Sequence, residues 1–138
     1  MTLPRQCELG RLFFTALSAT VLVLGPPTAI ALAHASLVRS DPAGGARLQQ
    51  SPSRIVAWFD QELDASASTI RVDDAQGNAL EGDTGGVDLA DPDHASMIVT
   101  LPQTLEPGRY LVRWTAVSAD GNDAHHSTKG EFTFEIGN

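Results

Sequence analysis

Four histidines, His34, His94, His125 and His126, are the side chains of this chain with the clearest capacity for metal chemistry. Two of them stand in the stretch SADGNDAHHSTKG, Ser118 to Gly130, together with Asp120 and Asp123. Asp123 and His125 are two positions apart, and on an extended backbone residues i and i+2 point to the same side, so this pair can bite one cation. Asp120 and His126 flank it. A solvated loop accounts for the same letters, since loops favour Asp and Asn, and both readings stand at this point.

His34 draws its interest from what precedes it. Arg5 and Arg11 lead into an almost wholly apolar run, Leu12 to Leu24, which Gly25, Pro26 and Pro27 break ahead of Ala31-Leu32-Ala33. A basic n-region, an apolar h-region of about 7 to 15 residues and a small-residue cleavage site are the order of a secretory signal. A membrane-spanning helix needs about 20 apolar residues without such a break. The expected division is therefore a signal peptide over 1–33 and one mature domain over 34–138, exported to a periplasm or to the exterior of the cell envelope. Cleavage after Ala33 makes His34 the terminal residue, and its α-amine and ring Nδ1 can then close a chelate on a single ion. Nitrogen donors of this kind suit Cu(II) best among the common divalent ions. A cleavage point that falls by chance before a histidine leaves the same sequence.

Composition removes several classes. Loss of Arg5, Arg11 and Glu8 with the leader turns 9 Lys+Arg and 17 Asp+Glu into 7 and 16, a mature net charge of −9. An acidic surface argues against nucleic acid and anionic membrane as partners and favours cations. The single cysteine, Cys7, precedes the apolar run and leaves with the leader. Disulfides, cysteine catalysis, thiolate zinc sites and the Cys-ligated blue-copper site are thereby excluded from the mature domain. Met97 is its only thioether, so any copper site is built from nitrogen and oxygen.

The elements that must position these donors read as strands. Arg54 to Asp60, Ser68 to Asp74, Ser96 to Pro102, Arg109 to Asp120 and Gly130 to Ile136 are rich in β-branched and aromatic residues. DPAGG, DAQGN, DTGG, ADPD and EPGR separate them as turn clusters. Tyr110, Val112 and Trp114 share one face at period two, as do Phe132, Phe134 and Ile136. An all-β, two-layer antiparallel Greek-key sandwich is the economical architecture. Gly82 to Ser96 reads as a long polar surface loop carrying His94 as a surface residue; its aspartates do not match the EF-hand spacing. Trp58 and Trp114 read as packing, Asp60, Glu62 and Asp64 as a solvated strand end, and Lys129 as a strand cap. No Ser-His-Asp order, phosphate loop or paired catalytic carboxylates is present.

HASLVRSDPAGGARLQQSPSRIVAWFDQELD, the IRVDDAQGN hairpin, LEPGRYLVRWTAVSADG and the closing KGEFTFEI resemble the CopC family of periplasmic copper-resistance proteins over 34–136. The resemblance implies an Ig-like sandwich or small barrel of cupredoxin-like appearance, monomeric and not an enzyme. It further implies one Cu(II) bound through the N-terminal histidine, an aspartate and a second histidine, and a CopD-like membrane copper transporter as partner. The family's Asp-x-His follows Val-Ser-Ala directly, whereas here that register reads Asp120-Gly121-Asn122. Counting back from the last strand points to His126, while Asp123-Ala124-His125 restores the motif one residue off that count. Two registers follow, Asp123 with His125 or Asp120 with His126, and the first needs no special loop shape; a hybrid using His126 is the third arrangement. The family's Cu(I) site uses clustered methionines, which this chain lacks.

Two other classes meet the same residues. Copper oxygenases of polysaccharides also use a terminal-histidine chelate, but they are usually longer and present a flat, often aromatic, substrate face. A structural Ig-like module with incidental histidines would take up no copper.

Overall fold

The computed structural model describes residues 34–80, 85–101, 104–120 and 127–137. It contains eight strands: β1 Leu37–Asp41, β2 Arg47–Leu48, β3 Arg54–Phe59, β4 Thr69–Asp73, β5 Gly86–Val87, β6 Ser96–Thr100, β7 Gly108–Val117 and β8 Ser127–Ile136. No helix occurs among the described residues. The strands form two four-stranded sheets, in the orders β1-β3-β6-β5 and β2-β8-β7-β4. The expected sandwich is present, as two open sheets and not a closed barrel.

The core follows from the alternation of the two long strands. Tyr110, Val112, Trp114 and Ala116 of β7 point inward with Phe134 and Ile136 of β8, against Ile55, Ala57 and Phe59 of β3. Fully burying a side chain such as Val112, Ile55 or Phe134 stabilises by about 1.5–3 kcal/mol. Trp114 lies opposite Gly130 in the β7–β8 register. A Cβ at Gly130 would come within 2.3 Å of the indole Cζ2, so the glycine is the seat of the ring. The indole meets Phe59 edge-on at 5.1 Å and 77°, which joins the sheets through an aromatic pair. Trp58, one residue along, faces outward beneath the Arg39 guanidinium, 3.4 Å from the ring centroid.

Four details differ from the sequence reading. β8 starts at Ser127, and Lys129 is not a cap but an interior residue of that strand, paired with Thr115. The polar stretch before Ser96 contains the edge strand β5, paired with β6, and a bridge from Gly85 to Ile70. β2 pairs with β8 in parallel, the one departure from antiparallel order among the described strands. β1 and β2, like β5, were not among the expected strands; two-residue strands such as β2 and β5 are too short to carry a period.

Candidate metal centre

The starts of β1, β6 and β8 and the ends of β3 and β7 gather at one end of the sandwich. Leu37 pairs with Phe59, Trp58 with Ser96, and Val117 with Ser127. Residues 60–68 cross between the two sheets there and are fastened to both. On the first side, the Leu63 N–H donates to the His94 carbonyl at 3.0 Å. On the second, Asp64 N–H donates to Val117 O at 2.8 Å and Ala119 N–H to Glu62 O at 2.9 Å. The Ser118 hydroxyl donates to Gln61 Oε1 at 3.0 Å. Leu63, buried between these bonds, bridges Ser118.

His34 stands at this end, exposed, immediately ahead of a residue that is completely buried. Ala35 is 0% exposed and belongs to the core. The next residue is held from both sides: Ser36 N–H donates to Asp60 Oδ1 at 2.7 Å, and Asp60 N–H donates to Ser36 O at 3.1 Å. A small apolar residue sunk in the core and a carboxylate-clamped serine thus fix the backbone one residue behind the histidine.

Asp120 lies at the same end, exposed, three residues beyond the last residue of β7. Asp123, His125 and His126 fall outside the described residues, in the segment 121–126 that connects Asp120 to Ser127. Among the described residues no group of three His, Cys, Asp or Glu side chains is assembled to hold a metal. Of the five expected ligands, His34 and Asp120 are therefore the two whose place in the fold is defined.

The donor chemistry agrees with a nitrogen and oxygen site. Met97 is completely buried in the core, so among the described residues no thioether reaches the surface for Cu(I). Asp60, Glu62 and Asp120 are all exposed at this end and give it a negative field. Asp60 is a clamp as well as a solvated carboxylate, which the acidic run FDQELD gave no reason to expect. Its partner lies 24 residues away, and no local pattern links them. His94 was expected on the surface, and it is there, but beside Glu62 at this same end.

A two-layer β-sandwich that presents a histidine ahead of its first strand, with exposed carboxylates at the same end and no thioether at the surface among the described residues, is the class these features define. A CopC domain model matches residues 37–137. The chain belongs to the CopC family. Copper resistance protein C of Pseudomonas syringae pv. tomato is 31% identical over 127 residues, covering 90% of this chain and 94% of that protein. Copper transport protein CutJ of Bacillus subtilis is 31% identical over 116 residues; the match takes in 84% of this chain but spans only 20% of that longer relative. Among solved structures, PcoC, a methionine-rich copper resistance protein from Escherichia coli, superposes with a TM-score of 0.63 at 26% identity, covering 75% of this chain and 99% of that one. The methionine richness has no counterpart here, where the whole chain has 2 methionines.

Proposed function

We propose that this chain is exported, loses residues 1–33, and holds one Cu(II) at the end of the sandwich where β1 begins, as a carrier or sink in copper resistance and not as an enzyme. The α-amine and Nδ1 of His34 supply a chelate, His125 closes the square, and Asp123 adds charge and a weaker bond; Asp120 with His126 is the alternative register. This donor set is the tetragonal nitrogen and oxygen environment that Cu(II) prefers. The observation that carries the reading is the fixing of the backbone behind His34 by buried Ala35 and the Ser36–Asp60 clamp. Asp120 and Ser127, the described residues on either side of 121–126, stand at the same end. A terminal residue would otherwise fray, and the clamp lowers the ordering cost of binding there.

In Bacillus subtilis the matched sequence is part of a much longer copper transport protein. That arrangement supports delivery of the ion by this chain to a separate membrane importer of the CopD kind.

The test is a Cu(II) titration with electron paramagnetic resonance on the protein starting at His34, beside a version carrying one extra residue ahead of it. One tight equivalent with nitrogen couplings, lost or rearranged in the extended version, is expected. Equal binding by both, or by neither, would mean that the chain shares the family's fold without this copper chemistry.

A further inference from the structure

His94 and Glu62 come from separate segments, yet their side chains face each other beside the crossing of residues 60–68. His94 Nδ1 stands 3.8 Å from Glu62 Oε1, with the two side chains 42% and 59% exposed. Their backbones are fixed independently of that contact. The His94 carbonyl accepts from Leu63, the Ala95 carbonyl accepts from Phe59, and the Glu62 carbonyl accepts from Ala119. His94 also holds φ at +46°, the only positive φ at a non-glycine position among the described residues. Histidine tolerates the left-handed region better than most side chains but still at a cost, and such costs collect at functional positions. Asp91, a carboxylate that feels the charge of His94, is already occupied: it accepts from the Ser96 hydroxyl at 2.5 Å and from Asp93 N–H at 3.2 Å.

We propose that His94 and Glu62 form a second, weaker site for one divalent transition-metal ion, with Cu(II) the strongest binder and water completing the coordination. Metal–nitrogen and metal–oxygen bonds of about 2.1 Å place neighbouring donors roughly 3.0 Å apart at a square corner and roughly 3.4 Å apart across a tetrahedral edge. The observed 3.8 Å is wider by less than about 1 Å. Rotation of two half-exposed side chains closes that gap without moving the anchored backbone. An imidazole with one carboxylate is a donor set that divalent copper takes ahead of zinc, nickel or cobalt. The site does not require the free amine of His34, so it stands apart from the reading above.

The experiment is a Cu(II) titration by calorimetry and electron paramagnetic resonance on four proteins. These are the chain beginning at His34, its version extended by one residue, His94→Asn and Glu62→Gln. Asparagine suits the left-handed backbone, so His94→Asn removes the ring and keeps the turn; Glu62→Gln keeps the backbone acceptor and removes the charge. Two equivalents are expected in the parent, the second at least tenfold weaker. Each substitution weakens the second by at least tenfold and leaves the first within about twofold. The extension perturbs the first alone, so failure of the terminal chelate and failure of this pair give different patterns. A single equivalent in the parent overturns the proposal. So does a second equivalent that survives both substitutions, or one lost with His94→Asn yet untouched by Glu62→Gln, which is a lone imidazole. Thermal melts of both variants confirm folding; should His94→Asn melt early, the Glu62→Gln arm decides.

Discussion

Ser36 and Asp60 hold each other through two hydrogen bonds, the Ser36 N–H to the Asp60 carboxylate at 2.7 Å and the Asp60 N–H to the Ser36 carbonyl at 3.1 Å. The second bond is backbone to backbone and survives any substitution at position 60. The first depends on the side chain, is charge-assisted, and is exposed, which puts it at the lower end of its class, about 1 kcal/mol. Asp60→Ala is therefore expected to lower Cu(II) affinity roughly fivefold by releasing the segment behind His34. Asp60→Asn keeps an acceptor oxygen and should restore most of the loss. Competition titrations of the three proteins check this; equal losses for Ala and Asn would assign the effect to charge and not to register.

The two registers of the loop make opposite demands on its histidines. With Asp123 and His125 as ligands, His125→Ala removes the closing imidazole and weakens binding by at least tenfold, whereas His126→Ala changes it by less than about threefold. The reverse pattern would establish His126, and Asp120→Ala beside Asp123→Ala then tells the Asp120 register from a hybrid of His126 with Asp123. Nitrogen couplings in the Cu(II) spectrum of each variant read the same choice without reference to affinity.

Acid should release the ion steeply. Copper competes with protons for imidazole and amine nitrogens, which ionise near about 6.5 and about 7.7–8.0 in free groups. With two rings and an amine as ligands, moving from about pH 7.5 to about pH 5.5 should lower affinity by nearly ten thousandfold, about tenfold for each ring and about seventyfold for the amine. A site made mainly of carboxylates would lose far less over that interval, so a titration at the two pH values separates the donor sets.

The long strands were legible because their alternation is long. Tyr110, Val112 and Trp114 lie on one buried face as expected, with Phe134 and Ile136 beside them on the neighbouring strand of the same sheet. Gly130 misled only as the first residue of the last strand, since β8 begins at Ser127 and the glycine lies inside it to make room for an indole on the neighbouring strand. That is a tertiary fact with no local trace. The same holds for the metal centre. His34 stood out through the leader-like pattern of the residues ahead of it, but the carboxylate behind it could be found only once Leu37 was paired with Phe59, because that pairing brings Ser36 to Asp60. His94 and Glu62 meet for the same reason, through the pairing of β3 with β6 and the crossing that follows β3.

Gly130→Ala tests the seat of Trp114 directly. The added methyl would lie 2.3 Å from Cζ2 and 2.7 Å from Cε2, well inside contact distance, so the ring must shift against Phe59. Overpacking of this kind costs about 1–3 kcal/mol. At about 4–8 °C per kcal/mol for a domain near this size, the melt should fall by several degrees or more, with a changed tryptophan emission. An unchanged melt and spectrum would show that the ring has room to move.

The turn before β6 should make part of the stability depend on pH. The Ser96 hydroxyl, buried at 2% exposure, donates to Asp91 and holds that carboxyl below its ordinary value of 3.8; the Asp93 and Ala95 amides and the nearby His94 act in the same direction. A carboxyl whose folded value is depressed contributes stability that is fully present above the unfolded value and is lost as pH falls through the folded one. Ser96→Ala removes the leading cause. At neutral pH the substitution should destabilise by about 1 kcal/mol, a modest figure because Asp91 is partly open to water and can be rehydrated. The gap between the two proteins should then narrow as the pH drops below about 3.8, where the carboxyl protonates in both. Asp64, Asp74 and Glu135 are also held low, by Ser66, Asn78 and Arg109 respectively, and they steepen the acid sensitivity of both proteins alike. Their contributions cancel in the difference. Urea denaturation at pH 7, 5, 4 and 3 measures that difference, and a gap as wide at pH 3 as at pH 7 would show that Ser96 acts through packing and not through the Asp91 charge.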